Sequence, residues 1–219
     1  MSGRVSLAAL VSIPVLACSP GGGVMEAVPP PAGWAEKLVA ERAVKDRQMR
    51  EDPDTPLLAE DVKTFRGLDY WPPDPSYRFI GPIEINDRLE RFTIVSTSGK
   101  PRPCERYGRV RFRLGRRILT LQVYRLLDVA THSGEESLFL PFLDHTSGLE
   151  TYPAGRYVEL LGPKGGPYVL DFNRAYNPLC AYGAPERFAC PVTPGENRLP
   201  LRIEAGERGY RRRGPGKSP

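Results

Sequence analysis

The sequence has few of the residues that bind transition metals. It contains two histidines, His132 and His145, and four cysteines in 219 residues, and neither a CxxC nor an HxxxH spacing occurs. Zinc sites are usually built from such closely spaced pairs of cysteine or histidine. The sequence therefore predicts no metal site, and nothing in it indicates another cofactor.

Motifs that mark several large enzyme classes are also missing. There is no GxSxG around a serine, so the signature of the α/β-hydrolase nucleophile is absent. The glycine-rich stretch GPKGGP at 162–167 lacks the GK[ST] ending of a phosphate-binding loop. No internal repeat of fixed period occurs, which argues against a solenoid or propeller.

No long hydrophobic run is present near the N-terminus. The uncharged stretch from Val5 to Ala17 has thirteen residues, whereas a membrane-spanning helix needs about 20. A run of this length, preceded by Arg4, is typical of the apolar region of a signal peptide. It ends in VLAC at 15–18, which resembles the lipobox of bacterial lipoproteins. The sequence thus predicts a lipoprotein signal peptide over residues 1–18 with Cys18 as the lipidation site, and ordinary secretion with cleavage nearby is the alternative.

Lipidation of Cys18 would place the protein on a membrane. Acyl chains such as palmitate bury methylene groups at about 0.8 kcal/mol each, so two or three chains anchor a protein stably. The expected location is outside the cytoplasm, on the periplasmic or extracellular face of a bacterial membrane. The membrane is then the predicted partner, nucleic acid is not, and protein partners are left open.

Residues 19–33 and 208–219 have the composition of flexible segments. The first is rich in proline and glycine and is predicted to be a flexible tether. The second carries much of the net charge of +5 in the run RRR and is predicted to be a disordered basic tail.

The remaining chain has an adequate core but many turn residues. Hydrophobic residues make up 40%, while the sequence has 24 prolines and 22 glycines, a combination that favours many short elements joined by turns. Residues 34–50 give an uninterrupted apolar stripe of helical period, so 34–66 is predicted to be a helical segment. Residues 67–207 contain about eight runs rich in β-branched and aromatic residues. They predict a mainly β domain, an antiparallel sandwich or barrel.

The run RVRFRL at 109–114 shows the clearest strand pattern. Val110 and Phe112 alternate with arginines, so they should face the core. Gly115 and Arg116 follow and suit a two-residue hairpin turn.

Cys180 and Cys190 are separated by nine residues. Exported proteins commonly form disulfides, and closing a loop of this size contributes about 2–3 kcal/mol on the chain-entropy model. A Cys180–Cys190 disulfide is therefore predicted, with Cys104 left as a free thiol.

Several motifs together resemble one known family. The most specific are DFNRAYNPLCAY at 171–182 and ENRLPLRIEAGE at 196–207, supported by TFRGLDYWPPDPSYRF at 64–79 and HTSGLETYPAGRYVEL at 145–160. The chain is similar over residues 34–207 to the domain-of-unknown-function family 1684 (DUF1684), as a bacterial lipoprotein-type member. The resemblance implies no activity, because the family has none established.

Three polar segments lie where strands are predicted to end, and we expect them to converge on one pocket. Convergent polar groups in a concavity are typical of a small-ligand site. The predicted ligand-binding residues are Asp171, Asn173, Arg174, Tyr176, Asn177, Ser147, Glu150, Tyr152, Arg156, Glu196 and Asn197. The predicted function is the binding of a small polar or glycan-like ligand.

Two other functions remain open at this point. The first is a hydrolase that uses the carboxylates of Asp171, Glu150 and Glu196, with Ser147 as a distant candidate nucleophile. The second is a structural or protein-interaction module of the cell envelope, in which the same polar side chains only satisfy loop backbone groups.

Overall fold

The computed structural model describes residues 23–128, 138–183 and 187–211. The predicted signal peptide, Cys18 and the last eight residues of the basic tail lie outside these ranges. The described helices and strands are, in chain order, β1 (Val24–Ala27), α1 (Trp34–Glu51), α2 (Ala59–Val62), β2 (Arg78–Gly81), β3 (Glu84–Val95), β4 (Pro101–Leu114), β5 (Arg117–Leu126), β6 (Leu138–Phe142), β7 (Arg156–Leu160) and β8 (Tyr168–Asp171). Neither helix in these ranges has the length and apolar character needed to cross a bilayer.

The strands form one sheet that is nearly closed into a barrel. Its order is β7-β6-β5-β4-β1-β2-β8, and β3 pairs with β4 beside this path. Just beyond the end of β7, Leu161 exchanges two backbone hydrogen bonds with Val169 of β8, at 2.7 and 3.2 Å. These bonds join the two ends of the sheet. The prediction of a mainly β, barrel-like domain with an N-terminal helix is confirmed.

The sheet is mixed rather than wholly antiparallel because of β1. Val24 and Met25 pair in parallel with Arg111 and Phe112 of β4, while every other strand pair described is antiparallel. The predicted tether over residues 19–33 therefore needs correction. Residues 24–27 are a strand, and the Met25 side chain is fully buried, because pairing with β4 and β2 orders this short segment.

The hairpin of β4 and β5 forms as predicted. Leu114 pairs with Arg117, and Gly115 in the turn has φ 59°, which glycine adopts without strain. Val110 and Phe112 are fully buried, whereas Arg109 and Arg113 are exposed.

The core is centred on Phe172, which follows β8 directly. Its ring centroid lies 5.1 Å from that of Phe142, 5.3 Å from Phe112 and 6.2 Å from Phe79. All four side chains are fully buried. Because one residue of DFNRAYN is an aromatic anchor of the core, the polar residues beside it are held in fixed positions.

The segment after residue 207 is also more ordered than predicted. The amide of Arg208 donates to the carbonyl of Asp69 at 2.8 Å, and the amide of Gly209 donates to that of Glu150 at 2.7 Å. The predicted disordered tail therefore needs correction at its start, because these backbone groups bond to the domain.

The predicted disulfide is absent from the structure, where Cys104, Cys180 and Cys190 are free thiols. Cys180 and Cys190 are nevertheless neighbours. The amide of Cys180 donates to Sγ of Cys190 at 3.3 Å. The fold thus places the two thiols next to each other without a covalent bond between them.

Candidate functional site

Asp171 is the last residue of β8, and its carboxylate makes hydrogen bonds that stabilise the fold. Its carboxylate accepts from the Asn173 amide at 3.0 Å, which caps the 3₁₀ helix Phe172–Arg174. It also accepts from the indole Nε1 of Trp34, the first residue of α1, at 3.1 Å. The carboxylate is almost fully buried, so these bonds offset the cost of its desolvation.

The side chain of Asn173 is likewise hydrogen-bonded to backbone groups. Its side-chain oxygen accepts from the amide of Asp74 and its Nδ2 donates to the Asp74 carbonyl, both at 2.8 Å. The carboxamide thus ties the loop at residue 74 to the end of β8, as a neighbouring strand would. The backbone carbonyl of Asn173 accepts from Arg42 of α1 at 3.0 Å.

Arg174 and Tyr176 are only partly buried and lie at the edge of a cavity. Arg174 forms a salt bridge with Glu41 of α1, and the Tyr176 hydroxyl donates to Glu159 at 3.1 Å. Burial raises the pKa of Tyr176, so its hydroxyl stays protonated.

The cavity has a volume of about 180 Å³ and lies between α1 and the chain from Asn173 to Tyr176. Helix α1 contributes Glu41, Arg42 and Lys45. The other ionisable residues that line it are Tyr70, Arg174, Tyr176 and Glu207.

The cavity wall carries more positive than negative charge. Arg42, Lys45 and Arg174 give three cations, and Glu41 and Glu207 give two carboxylates, which leaves one positive charge in excess among the lining residues. The Asp171 carboxylate lies behind them, 3.9 Å from Nε of Arg174. Because the wall is partly buried, the excess positive charge acts at a lower effective dielectric constant than in bulk water.

Arg42 is the cation without a carboxylate partner among the described residues. Its two Nη atoms donate to the carbonyls of Trp71 at 2.8 Å and Asn173 at 3.0 Å. Its guanidinium lies 4.4 Å from the ring centroid of Tyr70. Burial lowers the pKa of Arg42, but an arginine remains charged at neutral pH.

Two donors in the cavity wall are buried and unpartnered. In the described part of the chain, neither Nε of Arg42 nor the hydroxyl of Tyr70 has a hydrogen-bonding partner. Burial raises the pKa of Tyr70, with the nearby charge of Glu207 as a second cause. Leaving such a group unsatisfied costs about 1–3 kcal/mol, so an acceptor that reached these two atoms would remove this cost.

Glu207 closes the inner side of the cavity. Its buried carboxylate accepts from Nζ of Lys45 at 2.7 Å, from Nδ2 of Asn177 at 2.8 Å and from the hydroxyl of Tyr182. Burial, together with Glu207, raises the pKa of Tyr182. Asn177 thus acts behind the cavity as a support of Glu207 rather than as part of its wall.

The segment TSGLETYPAGR does not reach this cavity. Ser147 Oγ donates to Asp144 at 3.2 Å, and Glu150 forms a salt bridge with Arg202 at 2.6 Å. The hydroxyl of Tyr152 lies 3.7 Å from Sγ of Cys180. None of the predicted residues in this segment lines the cavity.

Arg156 of β7 is almost fully buried and clamps the C-terminal segment. Its guanidinium donates to the carbonyls of Ile203 at 2.8 Å and Ala205 at 2.5 Å, and to the carboxylate of Asp144 at 3.3 Å. Burial lowers its pKa to about 10. Arg156 is a structural residue in this position.

Glu196 and Asn197 lie against the middle of the sheet. Glu196 pairs with Arg106 at 3.1 Å and accepts from Tyr124. The carboxamide of Asn197 accepts from the Gln122 amide at 2.8 Å and donates to the Gln122 carbonyl at 2.9 Å. The predicted convergence of three polar segments is therefore only partial, because DFNRAYN alone borders the cavity.

The carboxylates named for a hydrolase are held by different partners. Asp171 is bonded to Trp34, whereas Glu150 and Glu196 pair with separate arginines. General acid–base catalysis needs two such groups near one substrate atom, and these contacts give no such pair. In the residues that the structure describes, no cluster of three or more potential metal ligands occurs.

The lining residues that were not predicted from the sequence are Glu41, Arg42, Lys45, Tyr70 and Glu207. A signal for three of them was present, because residues 38, 41, 42 and 45 share one face of a helix. Leu38 on that face is buried, so the charged residues beside it on the helix also lie next to the domain. They were therefore candidates for the wall of a polar cavity.

Comparison with known proteins adds a family but no activity. A family model described as "Protein of unknown function (DUF1684)" matches residues 63–208. A solution NMR structure of an uncharacterized protein from Haloarcula marismortui is 34% identical, with a TM-score of 0.60, and the match covers 80% of this chain and 94% of that one. No curated protein matches the chain.

Proposed function

The chain belongs to the DUF1684 family. We propose that it binds a small acidic ligand in the cavity between α1 and the DFNRAYN segment. The observation that carries this proposal is the pair of unpartnered donors, Arg42 Nε and Tyr70 Oη, in a wall with one excess positive charge. A carboxylate accepts from both kinds of donor and neutralises the charge.

The size of the cavity limits the ligand. A volume of about 180 Å³ corresponds to roughly six water molecules at about 30 Å³ each. This accommodates a small dicarboxylate, or the acidic end of a sugar acid whose remainder extends into solvent. The side chain of Tyr176 at the cavity edge offers an aromatic face for the remainder of a sugar.

The test is a titration of the full chain carrying Cys18→Ser with malonate, glucuronate and phosphate, followed by thermal unfolding and calorimetry. A probe at 100 times its dissociation constant stabilises the fold by about 2.7 kcal/mol. Tyr70→Phe removes only a hydroxyl that has no partner, so the free protein should be at least as stable. Its affinity for the acid should fall about three- to tenfold, which corresponds to one lost hydrogen bond.

Arg174→Gln should weaken binding further, because it removes one cation from the wall. The matched control is Arg109→Gln, whose arginine pairs with Glu84 on β3 at 3.0 Å and does not line the cavity. Absence of any effect of the three probes on wild-type unfolding would refute the proposal. So would a Tyr70→Phe variant that binds as tightly as the wild type.

We also propose that the protein is a bacterial lipoprotein anchored through Cys18. The VLAC sequence at 15–18 supports this. Strand β1 begins six residues after Cys18 (24 − 18), and an extended chain reaches at most about 3.6 Å per residue. The barrel would therefore begin within about 22 Å of the lipid attachment point, and the membrane would be its partner.

Expression of the full chain in a bacterial host should give an acylated N-terminal Cys18 in the membrane fraction, and Cys18→Ala should abolish it. Recovery of an intact Met1 terminus in the soluble fraction would contradict this.

A further inference from the structure

A second group of reactive side chains lies away from the acid-binding cavity. Cys180 belongs to the 3₁₀ helix Leu179–Tyr182, and Cys190 approaches it so closely that Sγ of Cys190 lies 3.3 Å from the Cys180 amide nitrogen. The hydroxyl of Tyr152 lies 3.7 Å from Sγ of Cys180. None of these three residues lines the acid-binding cavity.

Cys104 is a thiol of the same molecule whose surroundings make it unreactive, and it serves as a comparison. It is fully buried in an apolar cluster with Ile94, Tyr124, Phe139 and Tyr157. Burial raises the pKa of its thiol to about 11. A thiol in this environment is protonated at neutral pH and does not act as a nucleophile.

We propose that Cys180 and Cys190 form an oxidisable dithiol, in which Cys180 reduces a small hydroperoxide and Cys190 then closes a disulfide. Both side chains are largely buried, at 4% and 7% exposure. The oxidant must therefore be small, and a protein disulfide does not fit as the first reactant.

The hydrogen bonds around the pair favour Cys180 as the attacking group. The thiol of Cys190 donates to Cys180, and the Tyr152 hydroxyl adds a second donor, so the pKa of Cys180 falls to about 6. The same bond raises the pKa of Cys190, which keeps its proton. The Tyr152 hydroxyl, 3.7 Å from Sγ of Cys180, and the lowered pKa favour the thiolate at Cys180 rather than at Cys190. The thiolate is the nucleophile in cysteine oxidation.

The chemistry balances in two steps. The Cys180 thiolate attacks one oxygen of the hydroperoxide, the O–O bond breaks, and the leaving alkoxide or hydroxide takes a proton from solvent. Cys180 is then a sulfenic acid. The sulfur of Cys190 attacks that of Cys180, an S–S bond forms and the S–O bond breaks. The hydroxide that leaves takes the proton of Cys190 and departs as water, so two thiols have lost two electrons to one hydroperoxide.

The experiment uses the full chain with Cys18→Ser, which leaves three cysteines. The protein is treated with hydrogen peroxide, quenched with a maleimide and mapped by mass spectrometry. We expect one disulfide between Cys180 and Cys190 for each peroxide consumed, reversed by dithiothreitol. Cys104 should remain reduced and serves as the internal control. In the folded protein Cys180 should be oxidised at least tenfold faster than Cys104, whereas in denaturant the two should react at similar rates.

Two variants separate the roles of the two sulfurs. Cys190→Ala, or Cys190→Ser if the alanine variant does not fold, should accumulate a sulfenic acid at Cys180 that dimedone traps. Tyr152→Phe should slow the first step severalfold, because it removes one donor to the thiolate. The proposal is overturned if Cys180 in the folded protein is no faster than Cys104. It is equally overturned if neither Cys190 variant gives a dimedone adduct at Cys180.

Discussion

The indole Nε1 of Trp34 donates a 3.1 Å hydrogen bond to the carboxylate of Asp171. This bond joins the first residue of α1 to the last residue of β8, which are 137 positions apart in the chain. It holds the helix against the DFNRAYN segment, and the cavity lies between these two elements. The geometry of the proposed binding site therefore depends in part on a buried bond between two residues just outside the cavity wall.

Replacement of Trp34 by Phe should destabilise the fold by about 1–3 kcal/mol, because the buried Asp171 carboxylate loses a donor. Urea unfolding of both proteins measures this difference. The control is Val39→Ala on the exposed side of the same helix, where the side chain is 52% exposed. That change should stay within about 0.5 kcal/mol of the wild type. An equal effect of the two substitutions would show that the bond to Asp171 does not matter.

Replacement of Asn197 by Ala should destabilise the protein without weakening acid binding. The carboxamide bonds to both backbone groups of Gln122 and donates to the Pro141 carbonyl at 2.7 Å. The change leaves buried backbone groups unsatisfied, at about 1–3 kcal/mol for each. Chemical unfolding and a malonate titration, run on the same preparation, separate the two effects. A loss of affinity in a variant that is still folded would show that Asn197 belongs to the binding site, as predicted from the sequence.

Replacement of Arg156 by Met should be among the most damaging single changes. It leaves the buried carboxylate of Asp144 without its ionic partner, and breaking a buried pair costs about 3–5 kcal/mol. It also removes the donors to the carbonyls of Ile203 and Ala205. Arg156→Lys keeps the charge, so it should recover part of the loss. Thermal unfolding of the two variants tests this, and equal midpoints would mean that the charge on residue 156 is unimportant.

Protonation of Glu105 should make the fold less stable in acid. Its carboxylate is almost fully buried between Arg125 and Arg91, each at 2.9 Å. The hydrogen bond from Arg125, followed by that from Arg91, lowers its pKa below the ordinary value of 4.5. Since the folded state has the lower pKa, this stabilisation is complete above pH 4.5 and is lost as the pH falls through the folded-state pKa.

The measurement is the free energy of unfolding of the wild type and of Glu105→Gln at pH 7 and at pH 3. Glu105→Gln should be less stable at pH 7, and it should lose less stability than the wild type between the two values. Asp69→Asn is a suitable control, since Asp69 is exposed and its contact with Arg208 is 3.5 Å long. Parallel acid profiles for wild type and Glu105→Gln would contradict the role assigned to this carboxylate.

The sequence was most informative where a local pattern determines the structure. The alternation of Val110 and Phe112 with arginines predicted the core face of β4, and Gly115 predicted the turn that follows. Helix α1 was expected from its apolar stripe and begins at Trp34 as predicted. These features follow from the periods of strand and helix and from the backbone freedom of glycine, which depend on neighbouring residues only.

Strand β1 shows why a composition-based prediction failed. VMEA lies among glycines and prolines, and β1 is only four residues long. Its strand conformation results from pairing with β4 and β2, which are far along the chain. Such pairing stabilises a short segment that has no strong local preference.

The sequence by itself determined the family, the mainly β class, the helix and the polar character of DFNRAYN. Only the tertiary structure decided which polar residues share a cavity. It turned Asp171 and Asn173 inward as structural supports and separated Glu196 and Arg156 from the site. It also brought Arg42, Lys45 and Tyr70 to the wall and set two thiols side by side. The physical reason is that the donors and acceptors of buried polar groups must be satisfied wherever the packed chain places them. That placement depends on contacts between distant segments, which no local pattern encodes.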